Sequence, residues 1–336
     1  MFEHWQKVCC FITRKCNLKC RGCNVIKHQS QYEMSVEDWF RAFSILKDHG
    51  VGFVVLFGGE PTLCEELPAM VSYLNSIDMP HTIITNGSRL TNDRAYYKRI
   101  VAAKPFGIST SVNTLKALDK HHDNTKSEIG AELLKKLRVD LPKCDLVANM
   151  AVTRTNIQNL PGLVREFTDQ GIWSILSFFH VAPPQESMYW WYRGPATEEN
   201  KELVFTESDL PTIEKIAKVF INQYGRLLLH NQKDYFRAWT EHGVTQDWHC
   251  HEWVCPAINS DGSLMACIDR PLSRPYSIFD ITDEKKAALI LASFRDTIED
   301  CTRGCFWDHM WETNKYAKEN KAEVGKKRFA HTVEEK

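Results

Sequence analysis

Apolar residues along the chain of 336 residues recur in two alternating rhythms. Val8–Thr13, Gly52–Phe57, His81–Thr85, Phe106–Val112, Leu146–Val152 and Trp173–His180 are short apolar or alternating runs, the pattern of buried strands. Between them lie segments with apolar residues at helical spacing. In the first, Trp39, Phe40, Phe43, Ile45 and Leu46 follow the capping pattern Ser35-Val36-Glu37-Asp38, and Gly50 ends the run. Glu66–Ile77, Asn92–Ala103, Lys126–Leu137 and Leu160–Asp169 read as further helices. Six strands alternating with helices predict parallel pairing through right-handed crossovers, an α/β fold built as a partial (β/α)6 TIM-type barrel. Chemistry in such barrels sits at the C-terminal ends of the strands, where the loops converge.

After His180 the alternation stops. Val181–Phe205 is loop-like and carries Pro183-Pro184 and Met188-Tyr189-Trp190-Trp191-Tyr192-Arg193-Gly194-Pro195. Consecutive aromatics cannot all face one core from a regular element, so two readings stay open: a ligand-facing lid, or a hydrophobic staple over the open side of the barrel. Ser208–Tyr224 is predicted as a helix with Ile213, Ile216, Ala217, Phe220 and Ile221 as its apolar stripe, and Gln232–His242 as another. Asp261-Gly262 between β-like arms predicts a hairpin, followed by a helix at about Asp283–Thr297. The expected organisation is a barrel over residues 1–205, a helical connector over 206–247, a small β-hairpin plus helix domain over 248–312, and a charged tail over 313–336.

Hydrophobic residues make up 43% and charged residues 25%, ordinary for a globular chain. A formal net charge of −1 gives no general attraction to nucleic acid. No apolar run approaches the roughly 20 residues that span a bilayer, and Met1-Phe2-Glu3-His4-Trp5 lacks the features of a secretion signal. A cytoplasmic location with no membrane partner is the expectation. The 12 cysteines are clustered, which in that compartment reads as metal ligation rather than cross-linking. Cys9, Cys10, Cys64 and Cys144 stand apart and are expected to be buried structural thiols.

The first cluster is Cys16-Asn17-Leu18-Lys19-Cys20-Arg21-Gly22-Cys23, directly after the first strand. Three thiolates are soft anionic ligands that can hold three corners of a cubane iron–sulfur cluster and leave its fourth iron open. A zinc site is the alternative, but zinc in a structural site takes four protein ligands, and no fourth follows at local spacing. After the second strand comes Gly58-Gly59-Glu60-Pro61, where a glycine pair permits close backbone approach and Glu60 supplies a carboxylate; a plain turn is the other reading. Thr85-Asn86-Gly87 ends the third strand. Ser109, Ser111 and Asn113 alternate at the end of the fourth and share one face.

Together these motifs resemble those of the radical S-adenosylmethionine (radical SAM) superfamily. The resemblance covers roughly Val8–His180 and Trp248–Trp307. It implies that Cys16, Cys20 and Cys23 hold a catalytic 4Fe–4S cluster whose open iron takes the amino and carboxylate groups of SAM. One electron would then break the sulfonium bond to give a 5′-deoxyadenosyl radical. Gly58, Gly59, Glu60 and Pro61 would bind the amino group of SAM, and Asn86, Ser109, Ser111 and Asn149 would line its carboxylate and ribose. Relatives commonly carry Asp where Asn113 stands, and an aromatic near adenine where Gly22 stands. That packing is expected from His180 or Val181 instead.

The late cysteines form a second set. The hairpin brings Cys255 and Cys267 together at its open end, and Cys301-Thr302-Arg303-Gly304-Cys305 adds another close pair, making four thiolates for a complete cluster. Gly262–Cys267 resembles the Gly-x4-Cys element of the SPASM and twitch extensions of radical SAM enzymes, and the short length is twitch-like. The resemblance implies an auxiliary 4Fe–4S cluster on Cys255, Cys267, Cys301 and Cys305, with Cys250 in reserve. A zinc ribbon on the same sulfurs is the alternative. His249 and His251 read as surface or supporting residues.

The resulting expectation is an oxidoreductase or isomerase-type enzyme that takes a hydrogen atom from a substrate C–H, fed by a flavodoxin or ferredoxin-type electron donor. A polar small molecule is the leading substrate class. A nucleotide, free or in DNA or RNA, is the runner-up, since Tyr189–Arg193 suits a base as well as a sugar face. A peptide ranks lower because the cysteine loop begins at residue 16, with no leader-binding domain before it. The rival from another class is a non-catalytic iron–sulfur or zinc protein, against which the Gly58–Pro61 motif speaks.

Overall fold

A computed structural model describes residues 5, 7–20, 23–27, 32–114, 126–179, 198–244, 250, 255–299 and 301. Six strands form the parallel half of the molecule: β1 (Lys7–Thr13), β2 (Phe53–Gly58), β3 (His81–Thr85), β4 (Gly107–Ser111), β5 (Asp145–Val152) and β6 (Trp173–Phe178). Helices α1 (Val36–Asp48), α2 (Leu67–Ser76), α3 (Ser88–Asn92), α4 (Arg94–Ala103), α5 (Lys126–Asp140) and α6 (Leu160–Asp169) separate them. Each strand pairs in parallel with the next, from Cys9↔Val55 in β1–β2 to Asn149↔Ile175 in β5–β6. The partial barrel read from the hydrophobic pattern is therefore the observed architecture.

Period-two alternation sorts the strand residues onto two faces. Val8, Cys10 and Ile12, Val54 and Leu56, Ile83, Ile108, and Leu146, Ala148 and Met150 turn outward and pack against Trp39, Phe43, Leu74, Ile100, Leu134 and Phe167 of the helices. Cys9, Phe11, Phe53, Val55 and Phe57 turn inward and form a second core with Ala257 and Met265. Near the C-terminal ends of β4, β5 and β6 the inward positions are small and polar. Ser111 and Asn149 are register partners there, and Ser111, Asn149 and Ser177 are all half-buried. One side of the lumen is thus filled with apolar groups, while the other is lined with groups that can hydrogen-bond a ligand.

The helix expected over Asn92–Ala103 is α4, and a separate short helix, α3, precedes it. Asp93 leaves the helical conformation and its carboxylate accepts from Tyr96 N at 2.9 Å, so it starts α4 instead of continuing α3.

The remaining helices are α7 (Glu198–Lys201), α8 (Leu210–Gln223), α9 (Lys233–Arg237), α10 (Trp239–His242) and α11 (Glu284–Glu299). The Asp261-Gly262 hairpin forms between β7 (Ala257–Ile258) and β8 (Leu264–Cys267), and β9 (Arg270–Pro271) follows. β7 pairs in parallel with β1, Cys9 opposite Ala257, so the hairpin continues the barrel's sheet. The strand order is β6-β5-β4-β3-β2-β1-β7-β8-β9. His180, the Tyr189–Tyr192 aromatics, His249, His251, Cys305 and the tail lie outside the described residues. Among the described residues no helix is long and apolar enough to cross a membrane.

Candidate functional site at the C-terminal ends of the strands

The cysteine loop begins where β1 loses regular pairing with β2, between Phe11 and Thr13. Glu33, absent from the sequence reading, organises the departure. Its Oε1 accepts from Thr13 Oγ1 at 2.8 Å and from Arg14 N at 3.0 Å. Cys16, Cys20 and Cys23 are half-buried on this loop. Leu18 N lies 3.5 Å from Cys16 Sγ, and Cys23 N donates to Cys20 O at 3.2 Å. Burial raises the Cys16 thiol and pushes the Cys23 thiol up to about 11. Thiols in this state stay protonated until a metal displaces the proton.

The Gly58–Pro61 loop lies directly on the cysteine loop. Gly59 N donates to Thr13 O and Glu60 N to Lys15 O, both at 2.8 Å. A Cβ on Gly58 would sit 2.2 Å from Thr13 O, and one on Gly59 2.2 Å from Lys15 O. Only glycine permits this backbone-to-backbone approach, and Gly58 also adopts φ +154°.

Glu60, read from the sequence as a carboxylate able to take the ammonium of SAM, hydrogen-bonds within the protein. It is buried, and its carboxylate is already occupied: Oε1 accepts from Thr62 N, Thr62 Oγ1 and Thr85 Oγ1 at 3.1, 2.5 and 2.6 Å, and Oε2 from Asn86 N at 2.7 Å. Pro61 opens the short turn that closes this arrangement. The carboxylate is a tie between the ends of β2 and β3.

Asn86 is likewise engaged. Its Nδ2 donates to Asn17 Oδ1 at 2.8 Å, its Oδ1 accepts from Ser88 N at 2.9 Å, and Asn17 Nδ2 donates to Ser88 Oγ at 2.7 Å. Asn17, inside the cysteine motif, thereby anchors that loop to the third strand. Asn113 Oδ1 accepts from Ala151 N at 2.7 Å, tying the end of β4 to β5. Ser109 is buried, whereas Ser111 and Asn149 are half-buried on the lumen face. The three motifs at the ends of β1, β2 and β3 form one rim, with that polar face beside it.

Residues 10–147 match the family model of the Radical SAM superfamily. Residues 10–147 form a radical SAM domain. Similar proteins include the Fe-coproporphyrin III synthase of Methanosarcina barkeri, 30% identical over 100 residues, 29% of this chain and 25% of that protein. Another is the S-adenosylmethionine-dependent nucleotide dehydratase of a Thermoplasmatales archaeon, 35% identical over 79 residues, 24% of this chain and 28% of that protein. The matched segments thus span about a quarter of these relatives' length. Among solved structures, native anSMEcpe with bound AdoMet and Kp18Cys peptide superposes with a TM-score of 0.59 at 16% identity, covering 96% of this chain and 99% of that one, which extends the likeness of fold beyond the matched domain. Radical SAM enzymes use a 4Fe–4S cluster and SAM. The rim fits that pair in donor chemistry: three half-buried thiols on one loop, beside a small polar face.

The second cysteine set sits toward the opposite end of the barrel from the first. Cys255 precedes β7 and Cys267 ends β8, both at the open end of the hairpin, and Cys250 and Cys267 pack against the inward-facing core. Cys301 is half-buried just beyond α11, its N–H on Ile298 O at 3.0 Å. Among the described residues no three His, Cys, Asp or Glu side chains form a group that could hold a single metal ion. Cys9 does not stand apart as its spacing suggested: its Sγ lies 3.4 Å from Cys255 Sγ, and both are buried. The hydrogen bond to Cys255 and burial raise the Cys9 thiol far above its ordinary range.

Proposed function

We propose that this radical SAM chain cleaves SAM reductively and uses the resulting 5′-deoxyadenosyl radical to take a hydrogen atom from a substrate C–H. When bound, the cluster on Cys16, Cys20 and Cys23 supplies the electron for that cleavage. The protein's own groups do the positioning. With the Glu60 carboxylate committed to β3, the backbone of Gly58–Glu60 is the part of that loop that meets the ammonium of SAM. Ser109, Ser111 and Asn149 offer hydroxyl and amide groups to its carboxylate and ribose. The observation that carries this reading is the pair of ties, Glu60 N to Lys15 O and Asn86 Nδ2 to Asn17 Oδ1, each 2.8 Å, which join the three motifs at one rim.

An auxiliary 4Fe–4S cluster on Cys267, Cys301 and Cys305, with Cys255 or Cys250 as the fourth ligand, completes the proposal, as does a flavodoxin or ferredoxin-type donor. The substrate class proposed first is a polar small molecule, in keeping with the polar lumen face. A nucleotide is the second reading, supported by the name of the archaeal dehydratase relative, and a peptide the third, supported by the peptide in the superposed structure. Anaerobic reconstitution tests the reading: about eight irons per chain and dithionite-dependent release of 5′-deoxyadenosine are expected. Four irons would remove the auxiliary cluster. Release of 5′-deoxyadenosine by a protein lacking Cys16, Cys20 and Cys23 would refute the assignment of the first loop.

A further inference from the structure

We propose that Arg14 is a positioning residue that holds a positive charge between the cysteine loop and the C-terminal hairpin and thereby sets the reduction equilibrium of the first cluster. The inference rests on the radical SAM reading of that loop and is independent of the substrate.

Arg14 leaves β1 two residues before Cys16, yet its side chain is 0% exposed. Nε donates to Asn259 Oδ1 at 2.7 Å, Nη2 approaches Met265 Sδ at 3.6 Å, and the guanidinium carbon lies 3.6 Å from the centre of the Phe11 ring. Asn259 and Met265 flank the turn of the β7–β8 hairpin, so the two parts of the chain that carry cysteine sites meet at one cation. Burial lowers the guanidinium from its ordinary value, and Asp261 in the hairpin turn, Asp269 after β8 and Cys23 from the loop, acting through space, favour its charged form.

Reduction adds one negative charge to an iron–sulfur cluster, and nearby charge and burial are among the factors that fix its potential. A cation close by in a poorly solvated setting stabilises the reduced form, and burial protects that effect from salt. A clamp without an electrostatic role would behave differently. Removing it would loosen the hairpin and leave the reduction equilibrium where it was.

The test uses the full reconstituted chain, following the SAM-responsive electron paramagnetic resonance signal in a redox titration. Arg14→Met keeps most of the reach and removes the charge. It is expected to shift the equilibrium about tenfold against the reduced form, 59 mV for one electron. Arg14→Lys should stay within about threefold of the parent. Asn259→Ala, which cuts the clamp and leaves the charge, should lower the melting temperature with the equilibrium within about threefold. Asp261→Asn keeps a carbonyl for Ser263, removes a negative charge beside Arg14, and should shift the equilibrium the opposite way. If Arg14→Met does not fold, this reversal of sign decides the matter. An unchanged equilibrium in Arg14→Met, a shift in Asn259→Ala as large as in Arg14→Met, or no shift in Asp261→Asn would overturn the proposal. Persistence of the SAM-responsive signal after replacing Cys16, Cys20 and Cys23 with Ala would instead sink the reading of the loop itself.

Discussion

The carboxylate of Glu60 accepts the backbone N–H of Asn86 at 2.7 Å, and through this contact the end of β2 holds the end of β3. The same side chain takes three further hydrogen bonds from Thr62 and Thr85. A carboxylate can accept at both oxygens, whereas an amide offers one oxygen and turns a donor toward donors. Glu60→Gln is therefore expected to cost roughly 2–3 kcal/mol of unfolding free energy, read by urea denaturation. SAM affinity should fall with it, because the Asn86–Asn17 tie to the cysteine loop depends on the same strand end. A variant as stable as the parent would show that the contact is not a structural tie.

Gly59 offers a sharper separation of site from scaffold. Alanine there would push a methyl group to 2.2 Å from Lys15 O and 2.9 Å from Arg14 O, both backbone atoms that cannot swing aside. The cysteine loop must move, so Gly59→Ala should lose iron from the first site without affecting any iron bound at the late cysteines. Gly162, exposed in α6 with nothing within 4 Å of where an alanine methyl would sit, is the control. Gly162→Ala should be neutral or stabilising by up to about 1 kcal/mol. Iron analysis and melting temperatures of the two variants check both statements.

The barrel strands were legible because they are short apolar or alternating runs bounded by turn residues, so that β3 matches its expected span residue for residue. The hairpin was legible from Asp261-Gly262, where Gly262 takes φ +86°. Other features were not, for a shared physical reason: their partners are remote in sequence. Glu33 meets Thr13 across 20 positions, Arg14 meets Asn259 across 245, and Cys9 meets Cys255 across 246. No local spacing encodes such contacts. The internal hydrogen bonds of Glu60 were hidden for a related reason, since its partners, Thr85 and Asn86, became visible only once β3 lay beside β2.

Thiol reactivity distinguishes ligand cysteines from packing cysteines. Cys9 and Cys10 are buried and their thiols are held well above the ordinary range, Cys9 by its contact with Cys255 and by burial, Cys10 by burial. Thiolates are the reactive form, so both should resist alkylation at pH 8 in the native, metal-free protein. Cys16 and Cys20, half-buried on the loop and so within reach of the reagent, should react slowly there, though faster than Cys9 and Cys10, and become protected on reconstitution with iron and sulfide. Peptide mass spectrometry after brief iodoacetamide treatment reads each site. Equal labelling of Cys16 and Cys20 before and after reconstitution would remove them as ligands.

His81 gives a stability-linked pH dependence far from the rim. It opens β3 fully buried, with Nδ1 donating to Met79 O at 2.9 Å and Nε2 facing the N–H of Phe106 at 3.5 Å. This geometry suits the neutral ring, because protonating Nε2 would set two donors against each other. Burial lowers the imidazole below its ordinary value of 6.5. The unfolded chain then binds the proton more readily than the folded one, so the contribution is intact above about 6.5 and is lost as the pH falls toward the depressed folded value. The slope from this residue is at most about 1.4 kcal/mol per pH unit. His81→Gln should flatten the acid side of the stability profile by that amount while lowering stability at neutral pH, as measured by urea unfolding between pH 5 and 8, a range set by roughly one unit either side of an unperturbed histidine. An acid slope identical in parent and variant would mean that His81 keeps an ordinary titration despite its burial.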